Sequence, residues 1–449
     1  MNIQLSEHFT YKKLIKFTLP TIAMMIFSSI YGVVDGLFVS NFVGSDAFAA
    51  VNLIMPPLMI FGAVGFMIGT GGSALVAKTM GEGDNKKANE YFSMLIYLLI
   101  GIGILLTGVG LFIIKPVSVW LGAEGATLTD CITYGTVLLI GLVPFMLQNC
   151  FQSFLVVAEK PGFGLIVSIA AGITNMVLDF ILVYLLKALN IVELGVFGAA
   201  LATVISQAVG GIIPLIYFCR KNSSLLKLTK TKLELKPIIK ACTNGASEML
   251  TNLSLSVVNM LYNMQLMKYA QNNGVVAYGI IMYVGFIFVG TYLGYSIGTA
   301  PIIGYHYGAG NKEELKNLFK KSLKLIAITS IVLTGLAEVF AEILAAIFVR
   351  YNPELLEMTT NAIRIYGISY LATGFNIFTS SMFTALNDGV VSAIVSFLRT
   401  LVLQVLPILI MPAIWGLTGV WFAVVVAEAL SLCVCAMFLI GNRKKYEYV

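Results

Sequence analysis

Runs of twenty or more mostly apolar residues recur from end to end of this 449-residue chain, separated by short segments rich in Gly, Asn, Pro and Lys. A helix needs about 20 such residues to cross a bilayer. A transmembrane β-barrel would need strands of alternating polarity, and that alternation is absent. Inside lipid every backbone N–H and C=O must be bonded within the structure, which leaves helices as the fold. Only 11% of the residues are charged, against about 25% in soluble domains, and the mean hydropathy is +0.91. The expectation is an all-α polytopic membrane protein.

The runs predict twelve transmembrane helices, at 14–39, 48–77, 91–114, 131–157, 162–186, 196–219, 241–267, 275–307, 322–345, 359–386, 391–411 and 417–440. Basic residues concentrate in cytoplasmic loops. With both ends inside, this topology puts 22 Lys and Arg on the cytoplasmic side and four outside, at Lys115, Lys187, Lys268 and Arg350. Arg364 and Arg399 fall in or beside spans. The net charge of +6 then reflects membrane topology, and no nucleic-acid partner is expected. Lys12, Lys13 and Lys16 before an apolar run imitate a signal peptide, but no small-residue cleavage site follows. That run is expected to stay as the first span, in the cytoplasmic membrane.

The longest polar interval, Arg220 to Lys240, holds seven Lys or Arg near the midpoint of the chain. It divides residues 1–219, an N-lobe of helices 1–6, from residues 241–449, a C-lobe of helices 7–12, and 220–240 is expected to be a cytoplasmic basic linker. The halves repeat one another: Ile68-Gly69-Thr70 and Gly81 recur as Ile297-Gly298-Thr299 and Gly310, at an offset of 229. An even number of spans per half makes the repeats parallel, related by a pseudo-two-fold axis along the membrane normal, as in transporters.

Charges within spans are costly and mark function. Asp35 on span one shares a helical face with Ser28 and Tyr31, and Asp179 on span five lies one turn after Asn175. Desolvated carboxyls of this kind can take up a proton near neutral pH, and with amide and hydroxyl oxygens they can equally coordinate Na+. Pro20 weakens span one by removing a backbone hydrogen bond. Glu248, Asn252, Ser256, Asn259 and Asn263 form a polar stripe on span seven, and Thr373, Asn376, Ser380 and Thr384 form another on span ten. Such stripes predict a wet cavity or, alternatively, helix-to-helix hydrogen bonding. Six cysteines lack metal spacing, no P-loop or hydrolase motif occurs, and the loops have no room for a catalytic domain. Neither an enzyme nor a cofactor is expected.

Twelve spans in parallel lobes, Pro20 and Asp35 on span one, Asn175 and Asp179 on span five, the paired Ile-Gly-Thr motifs and Glu248 on span seven resemble the multidrug and toxic compound extrusion (MATE) transporters. Their bacterial multidrug efflux branch, related to the DNA-damage-inducible subgroup, is the nearest match. The resemblance implies a secondary-active exporter of organic, often cationic, drug-like compounds driven by inward H+ or Na+, working as a monomer among membrane lipids. It implies a cation-coupling site of Asp35, Asn175 and Asp179 with Thr203 and Tyr134 as neighbours, helix bending at Pro20, and a possible C-lobe cavity at Glu248, Asn252, Asn259 and Asn376. The second acidic residue that some sodium-coupled relatives carry on span ten is absent here. A lipid-linked oligosaccharide flippase of the same superfamily is the alternative.

Overall fold

A computed structural model describes residues 3–38, 42–43, 45–189, 191 and 194–449, without side chains at 33, 35–38, 45–46 and 48–49. Its helices, in chain order, are α1 (Tyr11–Phe38), α2 (Ser45–Gly81), α3 (Asn85–Trp120), α4 (Gly125–Ile140), α5 (Leu142–Val157), α6 (Pro161–Asp179), α7 (Leu186–Ala188), α8 (Gly195–Cys219), α9 (Leu235–Gly308), α10 (Lys312–Val349), α11 (Pro353–Gly367), α12 (Tyr370–Ala385), α13 (Gly389–Phe397) and α14 (Leu403–Tyr446). No strand occurs among the described residues.

These segments group into twelve crossings, as the apolar runs predict. The 74-residue α9 breaks at Gln271 and α14 breaks at Gly416, so each supplies two helices, the second of α14 being a full crossing. In turn, α4 and α5 form one crossing bent by 57°, and α11 continues into α12. A π-helical turn, Phe180–Leu185, joins α6 to α7, and another, Leu398–Val402, joins α13 to α14. Among the described residues, with α9 and α13–α14 each counted once, eight helices are long and apolar enough to cross a bilayer, or nine when the bent α4–α5 pair counts as one span.

The two copies of the repeat cap their helices alike. Gly83 and Gly310 take positive φ, the backbone region that favours glycine. Asp84 then caps α3 by accepting the Lys87 N–H, and Asn311 caps α10 by accepting the Glu314 N–H.

One apolar core belongs almost wholly to α2–α8, and a second, around Tyr262, Ile281, Ala341 and Trp421, to α9–α14. The halves meet at the face that carries both termini. There α2 crosses α9 with no room for a side chain: a Cβ on Gly71 would sit 2.0 Å from the Ala241 carbonyl oxygen, and one on Gly245 1.8 Å from that of Met67. Further along, Gly81 and Gly308 abut the carbonyls of Tyr305 and Lys78, each at 2.0 Å. Small residues allow such backbone contact in lipid, where no hydrophobic force drives helices together.

Asn387, at φ 58°, bolts this crossing: its amide donates to the Ala74 carbonyl at 3.1 Å and its side-chain oxygen accepts from Asn244 at 2.7 Å. The N-terminal segment reinforces it. The Leu5 N–H donates to Glu159 of the first half at 2.7 Å, and the Phe9 N–H donates to Glu314 of the second half at 2.9 Å.

One face of α1, at Thr18, Ile22 and Met25, meets Gly298, Gly294 and Gly290 of α9. Another, at Met24, Phe27 and Tyr31, meets Gly164 and Gly172 of α6. The Ser29 hydroxyl still reaches the Phe286 carbonyl at 3.1 Å. One turn later Gly32 has open space at its Cβ position.

Two outcomes follow. Gly245→Ala should penalise this closed arrangement by about 1–3 kcal/mol, shifting its population roughly 5–150-fold. Accelerated hydrogen exchange over 65–81 and 294–308 would report it, and unchanged protection would contradict the crossing. At the second, burial alone would raise the Asp388 carboxyl, but hydrogen bonds from Lys445, Tyr446 and the Val391 N–H outweigh it and hold the group below its ordinary value. A depressed acid stabilises above its unfolded pKa and loses that contribution as pH falls through the folded one. Protease protection of the C-terminal turn should therefore weaken below about pH 4 in the native chain, and Asp388→Asn should abolish that pH dependence.

Candidate functional site

In the first half Asn175 and Asp179 lie one turn apart on α6, 2% and 0% exposed. Asp179 is the last residue before the π-helical turn. Neither side chain is without a partner, as a fully buried polar group requires. Because α6 packs against both α1 and α8, the helix carrying Asp179 adjoins the helix carrying Asp35 and the helix carrying Thr203. Asp35 itself lies on α1 with its side chain outside the described residues. Thr203 turns its hydroxyl back to the Ala199 carbonyl at 3.0 Å, and Tyr134 is fully buried on α4, within the first core. Pro20 sits inside α1, which stays continuously helical through it.

In the second half a cavity of about 260 Å³ runs between α9 and α11–α14, and touches the first half at Thr70, Ser73 and Ser153. Glu248 and Asn259 line it, together with Tyr262, Tyr278, Tyr366 and Tyr370. Tyr262 and Tyr278 stack at 4.9 Å with rings 6° apart, and the Tyr278 hydroxyl donates to Asn259 at 2.8 Å. Asn252 is not among the lining residues, because its amide donates to the Glu248 carbonyl one turn back. Asn376 is completely buried behind the wall.

The polar stripes divide between the two roles open to them. On α12, Ser380 and Thr384 face the cavity yet bond to Ser392 and Ser396 of α13 at 2.6–3.1 Å, which is helix-to-helix bonding. Ser256 and Asn263 are exposed, so the α9 stripe reaches the chamber only through Glu248 and Asn259.

Arg399, a charge in or beside a span, has a partner that the sequence pattern does not single out, Glu428 of the following span. The π-helical turn carrying Arg399 aims it at Glu428 of α14, with Nη2 to Oε1 at 3.1 Å and Nε to Oε2 at 3.3 Å. Asn376 adds a hydrogen bond to Oε2 at 2.7 Å. The pair is 15% and 5% exposed. Their occurrence on consecutive spans was the available signal. Glu248, by contrast, has no ion-pair partner among the described residues. No three His, Cys, Asp or Glu cluster as a metal site among those residues.

Two helical bundles built on a tandem repeat, one with a buried carboxyl and the other with a polar chamber, define a polytopic membrane protein of internal two-fold design. The MatE family model matches residues 20–181 and again 248–410, so the chain belongs to the MatE family, and the two matches coincide with the two halves of the repeat. Multidrug export protein MepA of Staphylococcus haemolyticus (strain JCSC1435) is 26% identical over 443 residues, covering 98% of this chain and 95% of its own. Two solved structures share the fold. A MATE protein in complex with MaL6 superposes with a TM-score of 0.92 at 24% identity, covering 98% of each chain. The outward-facing conformation of a multidrug resistance MATE family transporter of the MOP superfamily gives 0.91 at 24%, again over 98% of each.

Removing one partner of a buried pair strands the other. Arg399→Ala should cost about 3–5 kcal/mol, and Arg399→Leu with Glu428→Leu should cost much less. Thermal denaturation in detergent checks this, and equal losses in both variants would contradict it.

Proposed function

We propose that this chain is a secondary-active multidrug exporter that antiports organic, often cationic, compounds out of the cell against inward H+ or Na+ by alternating access. In this reading residues 1–219 and 241–449 are its lobes, 220–240 is their cytoplasmic link, both termini are cytoplasmic, and the protein works as a monomer in the cytoplasmic membrane. The observation that carries the reading is the glycine-tight seal between the repeated halves at the terminal face, together with the polar chamber between α9 and α11–α14. With the termini inside, the sealed face is the cytoplasmic one. The export activity of the MepA relative points the same way.

Asp35, Asn175 and Asp179 form the coupling site, with Thr203 and Tyr134 near it. Cation uptake there from outside neutralises the carboxyls and changes how α1 packs on α6. Because α1 also lines α9, bending near Pro20 transmits that change to both lobes. The chamber at Glu248 and Asn259, backed by Asn376, is the route on the C-lobe side, and Asn252 contributes through the backbone of Glu248. A flippase of lipid-linked sugars needs cationic groups free for phosphate, whereas the Arg399 charge is already engaged by Glu428.

Efflux of a fluorescent lipophilic cation from proteoliposomes, under an imposed proton gradient and then a sodium gradient, tests the reading. Wild type should be driven by one of them, and both Asp35→Asn and Asp179→Asn should lose at least about tenfold in coupled rate, the equivalent of 1.4 kcal/mol. Drive that persists undiminished in both variants would overturn the assignment of the carboxyls. Absence of drive in wild type would overturn antiport.

A further inference from the structure

Between the end of α8 at Cys219 and the start of α9 at Leu235, the connection is not a loose tether. Residues 225–229 lie as an extended strap across α3. The Lys227 N–H donates to Asn89 at 2.5 Å and the Asn89 amide to the Leu225 carbonyl at 3.1 Å. One turn along, the Thr229 N–H donates to Ser93 at 2.8 Å. Leu226 is fully buried in the core of the first half, whereas Lys227 beside it is exposed.

The position of the strap identifies what lies over it. Asn89, Ser93 and Tyr97 follow one another at helical spacing, and the same stripe of α3 continues through Gly101, Ile104 and Gly108 to Phe112. Ile104 is 63% and Phe112 88% exposed, and the two glycines have open space beside them. An exposed apolar stripe on a membrane helix faces acyl chains. The strap therefore crosses the lipid-facing surface just where that stripe ends, at the depth of the headgroups.

Its chemistry matches that depth. Lys227, Lys230 and Lys232 are exposed and in no ion pair among the described residues, as are Arg220, Lys221 and Lys236. Glu234 is the sole acid from 220 to 240. Leu233 and Leu235 beside them are 74% and 70% exposed, which water alone would disfavour.

We propose that the strap binds anionic phospholipid headgroups, with Lys227, Lys230 and Lys232 meeting the phosphates and Leu233 and Leu235 dipping among the acyl chains. Only the identity of the leaflet, the cytoplasmic one, rests on the orientation given above.

Native mass spectrometry of the full-length protein released from detergent tests this with three probes: phosphatidylglycerol, phosphatidylcholine and inorganic phosphate. Wild type should retain phosphatidylglycerol in preference to the other two. At about fivefold per lysine, Lys227→Gln/Lys230→Gln/Lys232→Gln should weaken that binding about a hundredfold. These side chains are exposed, so folding is not at stake. The charge-matched control Lys316→Gln/Lys320→Gln/Lys324→Gln on α10 should bind as wild type does.

Equal retention of phosphatidylcholine, equal uptake of inorganic phosphate, an unaffected strap variant, or equal loss in the control would each overturn the proposal. Because no transport is measured, failure here leaves the export reading intact, and failure of export leaves this result intact.

Discussion

In a bilayer no hydrophobic force drives helices together, so two bundles are held by close contact between their helices and by interhelical hydrogen bonds. Here that contact is the crossing of α2 over α9, where Gly71, Gly81, Gly245 and Gly308 let main-chain carbonyls of the other helix come within 1.8–2.0 Å of where a Cβ would be. The other features of the terminal face depend on this approach. Asn387 can bridge Ala74 and Asn244 only because the two helices are this close. The N-terminal segment can reach Glu159 on one half and Glu314 on the other only because the halves abut. A contact made of backbone and small residues has little interlocking side-chain volume to disengage, which suits an interface that must open and reseal.

Much of the fold was legible in the residues. Apolar runs and basic-loop bias fixed the number of crossings, and the Ile-Gly-Thr repeat foretold that the halves would be copies, as the paired family matches bear out. Turn chemistry at Gly83-Asp84 and Gly310-Asn311 was also readable. Span ends were less so, because α9 and α14 run through their turns as near-continuous helices broken at a single residue each, Gln271 and Gly416. Both breaks nevertheless fall in the gaps that the apolar runs leave, at 267–275 and 411–417. The strap over α3 was hidden: its sequence reads as a charged connector, and burial of Leu226 with the hydrogen bonds to Asn89 and Ser93 shows that it is docked.

The candidate sites were half legible for a physical reason. Helical periodicity puts residues on one face but cannot say what that face meets. Glu248 and Asn259 reached the cavity, whereas Asn252 on the same stripe bonded to its own helix and the hydroxyls of α12 found those of α13. Pairing of Arg399 with Glu428 required the π-helical turn, which shifts the register of α13 and α14 by a fraction of a turn and cannot be seen in composition. The result is an asymmetry between related halves. The first buries Asp179 deep in its bundle, and the second neutralises one of its acids internally while leaving Glu248 on the wall of a tyrosine-rich chamber.

Alternation between the two faces is most directly measured by electron–electron distances in the full-length protein in lipid. One nitroxide pair goes at Glu82 and Glu313 on the terminal face, and the other at Trp120 and Tyr351 on the opposite face, all four being exposed. A seal that opens as the other end closes predicts two populations for each pair, with the short terminal distance accompanied by the long opposite one and their proportions moving together as proton or sodium concentration changes. A single distance for both pairs, indifferent to either ion, would contradict it.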